Sequence, residues 1–270
     1  MRKSLVALSV LAASAVPAVN AADYSDDIHK NDYSWSQFNL MMAVDELPGK
    51  STHDYLEMEF GGRSGIFDLY GYVDVFNLTG DSSSDKADSD AKIFMKFAPR
   101  MSLDAVTGKD LSFGPVQELY IATELTWDGN TTNADKDTFG GNNYKVGLGS
   151  DVMVPWFGKM GLNLYGTYDM NAKDWNGFQI STNWFKPFYF FDNGSFISYQ
   201  GYIDYQFGMD DDKEGASSHG GAMFNGLYWH TDRYSVGYGL KAYNDVYGIK
   251  DSSGFKSSGV SHYFSVGYKF

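Results

Sequence analysis

Residues 263–270 read YFSVGYKF, with Phe264, Val266, Tyr268 and Phe270 on one face and Tyr263, Ser265, Gly267 and Lys269 on the other. Strand side chains alternate with period two, so this spacing predicts a strand with one apolar face and one polar or small face. The same dyad governs 66–76, where Phe67, Leu69, Val73 and Val75 stand opposite Asp68, Tyr70, Tyr72 and Asp74. It returns in 92–103, with Ile93, Met95, Phe97 and Met101 opposite Lys92, Lys96, Arg100 and Ser102; Phe94 breaks it by sitting on the polar face. About twelve such segments occur, near 35–45, 53–61, 65–77, 90–103, 113–127, 142–153, 158–170, 175–187, 195–208, 219–230, 233–244 and 259–270. Most are longer than the roughly 5–6 residues of a soluble strand, and suit tilted membrane strands. No helical heptad, internal repeat or Pro-rich linker interrupts them.

A soluble sandwich also alternates, so connector length decides between the two. The polar tracts 80–90, 128–141, 208–220 and 244–259 all follow odd-numbered segments. Connectors after even-numbered segments are mostly short, such as Gly61-Gly62-Arg63-Ser64 and Thr231-Asp232-Arg233. Long loops on one side and tight turns on the other mark an outer-membrane barrel. Aromatic placement points the same way. Tyr33, Trp35, Trp156-Phe157, Phe188–Phe191 and Phe270 fall at the short-turn ends, and Trp127 and Trp175 at the opposite ends, as two interfacial girdles. The predicted fold is all-β: a transmembrane antiparallel β-barrel of about 12 strands, with both termini periplasmic.

The N-terminus supplies the route to that membrane. Arg2 and Lys3 precede an apolar run from Leu5 to Val16 and a small-residue site, Val19-Asn20-Ala21. This pattern predicts a signal peptide over 1–21, cleaved after Ala21, leaving 22–270 as the barrel. Its removal takes two bases and no acid, so the net charge of −13 becomes −15. Composition changes the picture in one respect. Twenty Phe, 20 Tyr and 6 Trp coexist with a mean hydropathy of −0.35, because apolar residues are spread one in two and no window resembles a membrane helix. A pI near 4.6 argues against nucleic acid as a partner. The absence of cysteine removes disulfides, thiolate metal sites and cysteine nucleophiles together.

In a barrel the outer face serves insertion, so function belongs to the inward face and the loops. The dyad aims Tyr55, Glu57 and Glu59 inward, then Asp68, Tyr70, Tyr72 and Asp74, then Lys92, Lys96, Arg100 and Asp104. Glu118, Tyr120, Glu124, Lys145, Asp151, Asn163, Tyr165, Asp169, Gln179, Asn183, Tyr202, Asp204, Lys241 and Tyr243 follow. Two readings fit. The charges pair and stiffen a narrow barrel, or they line a selective path in which a planar solute stacks on aromatic faces and its hydroxyls bond to ionisable groups. An enzyme is disfavoured, since the five histidines join no H-E-x-x-H and no G-x-S-x-G occurs. Asp210-Asp211-Asp212 lacks EF-hand spacing. No catalytic, metal or cofactor site is expected. A surface-receptor or adhesion barrel with an occluded or non-selective lumen stays open as the alternative.

The segments YLEME at 55–59, FDLYGYVD at 67–74, Pro99-Arg100, LSFGP at 111–115 and GLGSD at 147–151 resemble the Tsx/OmpK family, its OmpK branch above all. WNGF at 175–178 and the final VGYKF fit as well. These are nucleoside-specific channel-forming outer-membrane proteins. The resemblance implies a monomeric barrel in outer-membrane lipid, passive nucleoside uptake, and surface loops that phages or toxins use as receptors. It nominates Glu57, Glu59, Asp68, Tyr70, Asp74, Arg100, Glu118 and Tyr120 as lumen residues in contact with solute. The tracts 80–90 and 208–220 carry no family pattern.

Overall fold

The computed structural model describes residues 22–24, 26–79, 92–128, 131–132, 138–139 and 141–270. The expected leader, the tract 80–90 and part of 128–141 lie outside the described residues. The strands are β1 (Tyr33–Glu46), β2 (Ser51–Ser64), β3 (Phe67–Phe76), β4 (Ile93–Phe97), β5 (Arg100–Ser102) and β6 (Val116–Trp127). A small hairpin follows, β7 (Thr131–Thr132) and β8 (Thr138–Phe139). Then come β9 (Asn143–Val154), β10 (Gly158–Asp169), β11 (Asp174–Phe190), β12 (Phe196–Phe207), β13 (His219–His230), β14 (Tyr234–Asn244) and β15 (Gly259–Lys269). Each barrel strand pairs antiparallel with its neighbours, and β15 returns to β1 in a register that sets Leu40 opposite Val266. Among the described residues closure leaves the barrel sheet without a free edge, the condition for sheet backbone in hydrocarbon.

β4 and β5 occupy one position between β3 and β6, so the thirteen strands of this sheet make twelve staves. The interruption is Ala98-Pro99. Proline has no N–H for the ladder, and the Pro99 carbonyl instead accepts from the Thr123 amide at 3.1 Å and the Thr123 hydroxyl at 2.9 Å.

Cross-strand partners share a face, so register converts the sequence dyad into an inside and an outside. Leu40, Leu148, Leu164, Val236 and Phe264 are exposed outward as the apolar belt, while Tyr263 and Ser265 are buried inward. Phe94 is no irregularity: it faces inward with Lys96 and packs 5.9 Å from the Tyr72 ring. Tyr33 and Trp35 correct the girdle reading. Both share the inward parity of Gln37 and Asn39, and Trp35 packs 6.4 Å from Tyr70. A strand end sets depth in the membrane, but parity sets the face.

One short-side connector departs from the expected pattern. Between β5 and β6 lies α1 (Leu103–Thr107), capped by Ser102, which accepts the Ala105 amide at 3.0 Å. Gly108, at φ 62°, ends it in the left-handed conformation. Asp104 therefore does not line the wall. It is buried beneath this connector, accepting the amides of Leu111 at 2.9 Å and Leu119 at 3.1 Å.

Candidate functional site

The barrel encloses a cavity of about 1840 Å³, several-fold larger than most small-ligand pockets. Its two sides differ. From β6, β9, β10 and β11 the inward side chains Tyr120, Glu124, Lys145, Asp151, Tyr165 and Gln179 are all buried, so this half is filled. On the other half Tyr70, Tyr72, Phe94, Tyr202 and Phe224 keep partial exposure to the lumen.

Ion pairs fill the closed half. Arg100 forks onto Asp68 with Nε at 3.0 Å and Nη2 at 2.9 Å, and Nη2 also lies 2.9 Å from Asp151. Its guanidinium stacks 4.0 Å over the Tyr120 ring. Arg63 holds Glu118 at 2.9 Å and donates to the Tyr120 hydroxyl at 2.6 Å. Tyr120 in turn donates to Asp151 at 3.2 Å, and Lys159 reaches the same carboxylate at 3.1 Å. Deeper along the wall, Glu124 takes Lys145 at 2.5 Å and Lys96 at 3.0 Å.

Lys96 does more than close that group. Its ammonium also donates to Asp204 at 3.0 Å. Counting staves, β12 stands five positions from β4 in a ring of twelve, so this bridge crosses the lumen. The crossing separates the filled half from an open passage walled by β1 to β3 and by β12 to β15.

That passage is aromatic and acidic. Tyr70 and Tyr72 lie 6.2 Å apart, Tyr202 stacks on Phe224 at 6.0 Å and 19°, and Phe224 meets the Tyr263 edge at 5.8 Å. Glu57, Glu59 and Asp74 share this wall, with Glu57 opposite Asp74 in register. Lys241 lies 3.9 Å from Glu46 and near the rings of Tyr243 and Tyr263. Ser51, His53 and Glu46 adjoin, with Ser51 Oγ 2.7 Å from His53 Nδ1 and His53 Nε2 3.1 Å from Glu46. Ser51 and His53 are both buried, with the His53 ring packed against Tyr55 and Phe76.

Both mouths are partly covered. At the short-turn end the N-terminal segment turns inward: Tyr24 donates to Glu118 at 2.6 Å, and the Gly65 amide donates to Asp32 at 2.7 Å. The hydrogen bond to Asp32 raises the His29 pKa, and the same bond holds Asp32 below the usual carboxylate range. At the long-connector end, 245–258 is tied to 208–218 by Ser217 N to Gly248 O and Lys250 N to Gly215 O, each 2.8 Å. Asp251 organises it, and its hydrogen bond with Lys256, then those from the Ser257 and Ser258 amides, hold its pKa down to about 2.

Of the eight nominated residues, Glu57, Glu59, Tyr70 and Asp74 stand on the open side. Asp68, reaching across from β3, joins Arg100 and Glu118 in the ion-paired cluster, and Tyr120, 0% exposed, lies beneath Arg100 with no free face. Arg63 and Lys159 escaped sequence reading. Arg63 continues the inward parity of Glu57 and Glu59 into GGRS, where glycines suggested a turn.

The model of the family described as "Nucleoside-specific channel-forming protein, Tsx" matches residues 30–270. The chain belongs to this family. Within the Tsx family and its kin, the outer membrane protein OmpK of Vibrio parahaemolyticus is 74% identical, with all of both chains covered. The nucleoside-specific channel-forming protein Tsx of Klebsiella aerogenes is 30% identical, again over all of both chains. Among solved structures the NanC porin matches 86% of this chain and 98% of its own with a TM-score of 0.50 at 7% identity, a likeness of fold.

Proposed function

We propose that the chain is a passive outer-membrane channel selective for nucleosides, with its short-turn mouth and both termini in the periplasm. The observation that carries the reading is the Lys96–Asp204 bridge beside the aromatic band of Tyr70, Tyr72, Phe94, Tyr202 and Phe224. A purine or pyrimidine stacks on such rings for about 1–3 kcal/mol. Ribose hydroxyls exchange hydrogen bonds with Asp204, Glu59 and Lys96, whose partners already lie at bonding distance. A row of weak sites lets a solute enter and leave, where one tight site would hold it.

Membership of a family described as channel-forming agrees with this, as do the names of the relatives. In this reading Glu57, Glu59, Tyr70 and Asp74 face the solute, while Asp68, Arg100, Glu118 and Tyr120 hold the wall in shape. The outward belt suits a single barrel in lipid, and the folded connectors 208–218 and 245–258 offer a surface to phages or toxins. Liposome swelling with the full chain tests the function. Adenosine should enter faster than sucrose, and Asp204→Asn should reduce that preference. Equal rates for adenosine and sucrose would reject nucleoside selectivity.

A further inference from the structure

The lumen acids divide by the company they keep. Asp68, Glu118, Glu124, Asp151 and Asp204 pair with Arg63, Lys96, Arg100, Lys145 and Lys159, five acids with five bases. Glu57, Glu59 and Asp74 make no such pair among the described residues. Their partners are neutral. Asn39 donates to Glu57 at 2.7 Å and to Glu59 at 3.5 Å, Gln37 to Glu59 at 2.5 Å, and Tyr70 to Glu59 at 2.9 Å.

Asp74 is the sharpest case. It is 8% exposed, faces Glu57 across the β2–β3 register, and its Oδ1 has no hydrogen-bond partner among the described residues. Lys241 acts on Glu57 and Asp74 through its field, but its ion pair is with Glu46. Among the described residues Glu46, Glu57 and Asp74 thus share one lysine, and Glu59 has none. Removing carboxylates from water without a counter-charge is unfavourable, and something positive must enter or a proton must bind.

We infer that Glu57, Glu59 and Asp74 form a station for a monovalent cation on the open side of the lumen, taking an alkali ion or a primary ammonium group as it passes. Neutral donors already occupy several carboxylate lone pairs, which leaves a field suited to a weakly held ion. No three acids among the described residues have the arrangement of a metal centre. Tyr55 pairs with Phe76, and Glu59 with Tyr72, in the same ladder, so aromatic rings flank the carboxylates. Carboxylates bordered by ring faces suit an ammonium as well as an alkali ion. Weak holding is also what conduction requires. The inference goes beyond the nucleoside reading and needs only an open pore.

The test uses the full chain in planar bilayers, with reversal potentials in a KCl gradient at neutral pH. The unmodified channel should favour K⁺ over Cl⁻, and Glu57→Gln/Glu59→Gln/Asp74→Asn should bring that ratio several-fold down toward unity. Asp210→Asn/Asp211→Asn/Asp212→Asn, in the long connector, should leave it in place. With methylammonium in place of K⁺ the unmodified channel should still favour the cation over Cl⁻, and an equal methylammonium preference in the triple wall variant would overturn the station. A K⁺ preference that survives the triple wall variant, or disappears with the connector variant, overturns the proposal. Should the triple variant not insert, Asp74→Asn alone and the conductance of the unmodified channel against KCl activity serve instead. A station makes that conductance saturate, and strict proportionality would overturn it. Neither readout involves a nucleoside, so the two proposals fail separately.

Discussion

Replacing Arg100 with alanine removes the most heavily used cation of the closed half. Its guanidinium forks onto Asp68, touches Asp151, and stacks over Tyr120. Breaking a buried ion pair from one side typically costs about 3–5 kcal/mol, because a charge is left without a counter-charge. Here each carboxylate keeps a second base: Arg63 lies 3.6 Å from Asp68, and Lys159 lies 3.1 Å from Asp151. The expected loss is therefore smaller, about 2–3 kcal/mol, part of it the roughly 2 kcal/mol of a desolvated cation–π contact. Arg100→Lys restores one point charge but neither the fork nor the stacked plane, so it should recover only about half of that loss. Guanidinium unfolding of the barrel in lipid vesicles measures both. The midpoint should fall with an unchanged slope, since the same surface is exposed on unfolding. An Arg100→Ala loss below about 0.5 kcal/mol would place it among ordinary surface changes and refute the shared-partner account.

Glu124→Gln should be worse than Arg100→Ala, at about 3–5 kcal/mol in the same assay, because Lys145 is buried with Glu124 as its ion pair. Gly147→Ala should block folding, seen as loss of the heat-modifiable band on gels, since a Cβ there would run into the Leu164 carbonyl oxygen. For Asp251 the folded pKa lies below the ordinary carboxylate value, so its contribution is present above about pH 4 and is lost as pH falls through about 2. Pepsin should leave the 245–258 connector intact at pH 4 and cut it near pH 2, whereas Asp251→Asn should be cut already at pH 4; identical digestion of the two would count against the tether. Adenosine should block single-channel current more strongly than adenosine monophosphate, since each unit of phosphate charge about 8 Å from an unpaired lumen carboxylate loses about 2 kcal/mol at an effective dielectric near 20. Equal block by the two would show that the acidic wall is not felt by solutes.

The strands were readable because period two needs only neighbours in sequence. Segment 219–230 coincides with β13, and 158–170 differs from β10 by one residue. Parity also put Glu57, Asp74, Lys96 and Asp204 on the correct face. What it could not supply was partnership. Lys96 and Asp204 stand 108 positions apart on staves that meet only across the closed ring, and their bond depends on barrel stagger and cross-section rather than on any local spacing. Tyr120 looked like a platform because its type and parity match one. Two arginines from other staves turn it into a buried support. Asp104 was misplaced because a period extended past Ser102 enters a helix, where period two has no meaning.

The same facts explain why twelve staves give so narrow a passage. A ring of twelve would leave room between the side-chain-filled eight-stranded barrels and open sixteen-stranded porins. Here long charged side chains from β4, β6, β9 and β10 reach across one half, and each is kept there by an opposite charge from a neighbouring stave and, for Lys96, also from the far wall. Because those charges balance one for one, the filled half presents little net field to a passing solute. Glu57, Glu59 and Asp74, without an ion pair among the described residues, stand on the open side. Shape on one wall and charge on the other are therefore set by different residues. Loosening the paired half by Glu124→Gln should widen the pore with little change in ion preference, while neutralising Asp74 should change ion preference at nearly constant width.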